Sequence, residues 1–170
     1  LPFVWDYVSN IIVEFSFTDS SNSSAPLILV ENIADSIGVY STDATCIKVS
    51  GQEHIDIADS AFSIINDVIT ISFWANGDEN VLPVNTTFLE AFDTSGNRTI
   101  NIHFPWGNGR IYWDCGNDGT SSYDRIDKAA NLNEYTGEWS HWAFTKNAIT
   151  GSMKIYRNGQ LWHSGTGKTK

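Results

Sequence analysis

Positive charge is scarce in this chain. Ten Lys and Arg stand against twenty Asp and Glu, for a net charge of −10 over 170 residues. Nucleic acid is held by basic side chains that displace its counterions, so no nucleic-acid partner is expected. Anionic membrane surfaces are disfavoured on the same ground, and no apolar run reaches the roughly 18 residues of a spanning helix, so membrane insertion is not expected either. Cysteine is limited to Cys46 and Cys115. These two allow one intramolecular disulfide, and free, buried thiols fit the sequence equally well. The chain starts at Leu1 rather than Met and shows no signal peptide, as expected of a piece of a longer precursor. Helical periodicity is almost missing. Only 124–132 (DRIDKAANL) is a fair helix candidate, and a short turn is the stronger expectation there.

What is present favours strands. Hydrophobic residues make up 41% and aromatics 13%, enough to bury one core, while charged residues fall to 18%. The remaining polarity comes from Ser, Thr, Asn and Gly, which suit turns between pleated segments. The acidity reads as a solvated surface, with cation coordination as the functional alternative. Val68–Ala75 alternates, with Ile69, Ile71, Phe73 and Ala75 on one side and Val68, Thr70, Ser72 and Trp74 on the other. Two further strands, 87–92 and 99–104, flank the loop Asp93–Asn97. Asn108-Gly109 signals a type I′ turn leading into 110–114. The clearest hairpin is 152–157, Asn158-Gly159, then 160–163. About ten short strands in one core-sized chain imply an all-β sandwich or barrel.

A resemblance sharpens this in the C-terminal third. Trp139-Ser-His-Trp-Ala-Phe-Thr145, a turn at 148–151, and Met153-Lys-Ile-Tyr-Arg-Asn-Gly159-Gln-Leu161 are similar to the signature of laminin-G-like domains of the concanavalin A-like superfamily. Ile69-Thr-Ile-Ser-Phe-Trp74-Ala, and the pair 47–51 and 54–57, resemble earlier strands of that family in the right order. The segment 104–114 resembles modules appended to bacterial secreted polysaccharide-processing and adhesion proteins. The resemblance implies an antiparallel β-sandwich of the jelly-roll type, residues 1–170 forming one domain of a larger secreted or cell-surface protein. It implies a glycan-binding or adhesion module. The alternatives are a structural module that meets protein partners through an open sheet edge, and, more distantly, a polysaccharide-active enzyme. Such folds usually add closing strands after the Asn-Gly hairpin, and this chain ends at Lys170, so another segment or chain is expected to complete the sheet.

Three chemistries can be placed on residues. Glycoside hydrolysis needs two positioned carboxylates. The nearest arrangement, Glu53, Asp56 and Asp59, puts residues 53 and 56 on opposite faces of a strand, so no catalytic residues are expected. The four histidines, His54, His103, His141 and His163, pair with no Ser or Cys in a nucleophile setting. For metal, 114–119 (DCGNDG) only partly matches an EF-hand loop, with Arg125 where a bidentate Glu belongs. Laminin-G-like folds often hold calcium at a sheet edge, and Asp114, Asp118, Asp124 and Asp127 form the candidate ligand set. For sugar, aromatic faces and planar polar groups are required. Trp106, Arg110, Tyr112, Asn117, Tyr123 and Arg125 form the candidate glycan site, with the two arginines suited to a carboxylate or sulfate. On 110–114, Tyr112 shares a face with Arg110 and Asp114, and Trp113 is expected in the core.

Overall fold

The computed structural model describes residues 65–170, together with three short strands before them, β1 (Ile12–Phe15), β2 (Leu29–Ile33) and β3 (Ser36–Tyr40). From residue 65 onward come β4 (Val68–Ala75), β5 (Leu89–Phe92), β6 (Arg98–His103), β7 (Arg110–Asn117) and β8 (Tyr123–Ala129). A single helical turn, α1 (Leu132–Tyr135), precedes β9 (Ser140–Asn147), β10 (Ser152–Arg157) and β11 (Gln160–Gly165). One sheet has the order β1-β4-β9-β10-β11 and the other β5-β6-β7-β8. β2 and β3 pair only with each other. The protein is therefore nearly all β, a two-sheet sandwich as its composition implies. All strand pairs are antiparallel except β1 with β4, which is parallel.

Period-two alternation settles which faces meet. Ile69, Ile71 and Phe73 turn inward from β4, opposite Lys146, Phe144 and Trp142 of β9. Ile100 and Ile102 of β6 and Ile111 and Trp113 of β7 face them from the other sheet. The rings interlock: Phe73 packs on Phe88 at 4.2 Å and edge-on to Phe104 at 5.3 Å, and Phe104 meets Trp142 at 5.0 Å. Trp113 is fully buried, as its strand phase implied, and its indole N–H donates to the Thr145 carbonyl at 3.1 Å. Burying one such side chain contributes about 1.5–3 kcal/mol, so this aromatic layer is the main cohesive element.

The turns confirm one expectation and correct another. Asn158 and Gly159 both have positive φ, 48° and 76°, as a type I′ hairpin requires. At Asn108-Gly109 only Gly109 is left-handed, at 75°. The Gly109 N–H donates to the Trp106 carbonyl, and the Trp106 N–H to the Arg110 carbonyl. This is a type I turn followed by a glycine bulge, built like the Asp93–Asn97 loop, where Gly96 takes the same role. Residues 124–129, expected as a turn, instead continue β8, and helix is confined to 132–135.

One charged pair lies between the sheets. Lys146 occupies an inward position on β9 and is 3% exposed. Its ammonium donates to the Asp124 carboxylate and to the Cys115 carbonyl, both at 2.7 Å. The Lys170 N–H reaches the same Asp124 oxygen at 2.8 Å. A cavity of about 250 Å³ opens beside this cluster, lined by Ile65, Val68, Ile100, Cys115 and Lys146 among others. Cys115 is free and buried, and burial pushes its thiol up to about 12, which makes it unreactive. Cys46, its candidate partner, lies outside the described residues. No backbone partner pairs with the outer edge of β11 among the described residues.

Candidate functional site

The four-stranded sheet turns a polar and aromatic face away from the core. Along β7, Ile111 and Trp113 point inward, so Arg110, Tyr112 and Asp114 point outward. The register lines up partners on that face: Tyr112 stands between His103 and Asp127, and Asp114 between Asn101 and Arg125. Beyond Asn101 in the same row comes Glu90 of β5.

Two bulges add residues that simple alternation would send inward. At the β5–β6 pair, Ile100 faces Ala91 and Arg98 faces Phe92, so Thr99 is the extra residue. Arg98 is thereby brought to the outer face, where its Nη1 lies 3.7 Å from Asp114. In β7, Cys115 faces Asp124 and Asn117 faces Tyr123, leaving Gly116 as the extra residue, with φ of 76°. A left-handed glycine is the usual way to make such a bulge.

Asp114 is the electrostatic centre of the face. It is fully buried and grips Arg125 in a two-pronged pair, Nε to Oδ1 at 2.5 Å and Nη2 to Oδ2 at 2.7 Å. The carboxylate holds the Arg125 guanidinium above its usual range. The guanidinium also stacks against Tyr112 at 4.8 Å and Tyr123 at 5.2 Å, and Arg98 lies 5.8 Å from the Tyr123 ring. Arg110 is held likewise, its Nε 2.5 Å from Asp127 Oδ2. Asn101 is fully enclosed. Its Nδ2 donates weakly to Asp114 at 3.5 Å, and its Oδ1 has no hydrogen-bond partner.

The aromatic side of the face begins at Trp106. This half-buried ring rests on His103, with centroids 4.4 Å apart, and His103 in turn meets Tyr112 edge-on at 5.8 Å. His103 Nδ1 is 3.0 Å from the Thr86 carbonyl, so that nitrogen carries the proton. Burial lowers the His103 pKa, which keeps the ring neutral at physiological pH.

The six candidate sugar residues separate on this geometry. Trp106, Arg110, Tyr112, Tyr123 and Arg125 share one face. Asn117 is instead a tie: its Nδ2 donates to Asp93 at 3.3 Å and to the Arg98 carbonyl at 3.2 Å, and its Oδ1 accepts from the Gly119 N–H at 3.0 Å. Sequence reasoning missed Asn101, His103 and Arg98. The first two alternate with Ile100 and Ile102, a phase visible in the sequence, whereas Arg98 depends on the bulge.

The four candidate calcium ligands are not gathered around one point. Asp114 and Asp127 lie on the outer face, Asp124 turns inward, and Asp118 sits in an exposed loop. Each already faces a cation: Arg125, Arg110, Lys146 and Lys170 respectively. The Asp118 carboxyl is lowered to about 2 by the Thr120 hydroxyl and the Lys170 ammonium. These residues as arranged do not fit calcium, and no cluster of metal-ligating residues occurs among the described residues. The carboxylates Glu53, Asp56 and Asp59 lie outside the described residues.

Comparison with curated proteins gives no match. The family model described as the concanavalin A-like lectin/glucanases superfamily, of the laminin G type, matches residues 49–170. That span holds β4 through β11, including the whole four-stranded sheet that carries this face. The chain therefore belongs to the concanavalin A-like lectin/glucanase superfamily, as its C-terminal hairpin signature implied.

Proposed function

We propose that this protein is a non-catalytic glycan-binding or adhesion module of an extracellular, multi-domain protein, and that its ligand lies on the outer face of the four-stranded sheet. The observation that carries this reading is the convergence of Trp106, Tyr112 and Tyr123 with Arg98, Arg110 and Arg125 on one surface. Sugar recognition needs this combination of flat apolar rings and fixed polar groups. The rigidity of the face supports it, since side chains already locked by ion pairs and stacking lose little freedom on binding.

The same pairing argues against hydrolysis on this face. A glycosidase keeps two carboxylates available to the scissile bond. Here both oxygens of Asp114 are engaged by Arg125, and Asp127 is engaged by Arg110. Among the described carboxylates of the face, only Glu90 has no cation beside it.

Affinity electrophoresis through gels containing a panel of soluble polysaccharides tests the reading. The protein is expected to be retarded in at least one gel and to release no reducing ends from that polysaccharide. Unretarded migration in every gel would overturn the binding role. Release of reducing ends would overturn its non-catalytic character.

A further inference from the structure

We infer that the sugar taken by this face is uncharged, and that its apolar side lies on the Trp106 ring. The inference deepens the glycan-binding reading above and rests on it.

Charge balance is the first ground. The arginines of the face suggest an anionic ligand when seen in the sequence alone. In the structure two of the three, Arg110 and Arg125, are already paired with carboxylates. Arg125 spends its bidentate edge on Asp114, and Arg110 spends its Nε on Asp127 and reaches the Asp127 carbonyl with Nη2 at 3.4 Å. Arg98 approaches the same Asp114 carboxylate. With Glu90 added, the carboxylates Glu90, Asp114 and Asp127 match the three arginines in number. At the bidentate edge of Arg125 a carboxylate or sulfate would have to displace Asp114, which is fully buried and has nowhere better to go. It would also meet the long-range field of a chain with net charge −10.

Ring availability is the second ground. Guanidinium groups already lie against Tyr112 and Tyr123. Trp106 has no such partner among the described residues. It is held from below by His103 and through its backbone, the N–H donating to the Arg110 carbonyl at 2.9 Å and the carbonyl accepting from Gly109 at 2.7 Å. The neighbouring Gly107 N–H donates to Asn85 Oδ1 at 3.1 Å, which fixes the loop further. The platform is therefore rigid and ready for the C–H face of a pyranose ring.

Unmet hydrogen bonding is the third ground. Among the described residues, the one enclosed polar atom of this face without a partner is Asn101 Oδ1, an acceptor. An acceptor calls for a donor. A sugar hydroxyl that enters between the groups enclosing Asn101 supplies one, whereas the ionised acid group of an anionic sugar does not.

The experiment is a glycan array spanning neutral and acidic oligosaccharides, run at low and high salt. Wild type is compared with Trp106→Ala and Trp106→Phe, and near-ultraviolet circular dichroism checks that each variant keeps its fold. Binding is expected to neutral glycans, with little salt dependence. Trp106→Ala should lose it by about tenfold or more, and Trp106→Phe should keep most of it, because a smaller aromatic ring still stacks. Binding confined to acidic glycans and weakened by salt would overturn the inference and leave the glycan-binding reading intact. Neutral binding that Trp106→Ala leaves unchanged would overturn the placement on Trp106. No binding to any glycan would overturn the underlying reading itself.

Discussion

Replacing Lys146 with Ala is expected to destabilise the protein by about 3–5 kcal/mol, a large fraction of a typical domain's stability. The physical reason is the position of its partner. Lys146 is 3% exposed and Asp124 10%, so the pair sits between the sheets rather than on the surface. Removing the ammonium leaves the Asp124 carboxylate with only the Lys170 N–H, and takes a donor from the Cys115 carbonyl. An uncompensated buried charge costs far more than a lost surface ion pair. The double replacement Lys146→Met with Asp124→Leu should recover most of the loss, since it removes both charges and fills similar volume. Urea unfolding of the three variants checks this through the midpoint at unchanged slope. A single-variant cost below about 1 kcal/mol would show that water reaches the pair.

The second large effect concerns the outer face, and its sign is asymmetric. Arg125→Ala should cost about 3 kcal/mol, because it strands the fully buried Asp114 carboxylate with only Arg98 at 3.7 Å and Asn101 at 3.5 Å. Asp114→Asn should cost about 1–2 kcal/mol. The amide can still accept from Arg125, and that guanidinium, 37% exposed, can turn toward water. The double variant should show a coupling of at least about 1 kcal/mol in a thermodynamic cycle. Equal costs for the two single changes, with no coupling, would contradict the buried-partner account. Arg125→Ala should also weaken any glycan binding indirectly, since Tyr112 and Tyr123 lose the guanidinium between them. Arg125 is in this sense a positioning residue.

Much of this fold was legible because turns and apolar phase agree. The β4 alternation and the Asn158-Gly159 hairpin read directly from sequence, as did the inward Trp113 and outward Tyr112. β8 was missed for a physical reason. Its inward positions include Asp124 and Lys128, charges that disguise an apolar stripe. They are tolerated because the facing sheet supplies partners: Lys146 for Asp124, and for Lys128 the Trp162 carbonyl at 3.0 Å and its ring at 4.4 Å. Lys146 itself stands in phase with Trp142 and Phe144, which was the available sign that it turns inward. The candidate site was half legible. Residue types and strand phase gathered Trp106, Arg110, Tyr112, Tyr123 and Arg125. No pattern of types announces a bulge at Thr99, so Arg98 was not foreseen. Asn117 looked like a ligand residue because its hydrogen bonds to Asp93 and to the Arg98 carbonyl are long-range contacts.

Backbone-amide and indole NMR shifts, followed while a retained oligosaccharide is titrated into the protein, test the central claim most directly. The account predicts that the shifted signals cluster on the outer face of β5–β8, led by the Trp106 indole N–H, with His103, Tyr112 and Tyr123 beside it. Shifts confined to the outer face of the other sheet, around Trp74, His141 and Tyr156, with the Trp106 signal unmoved, would contradict it.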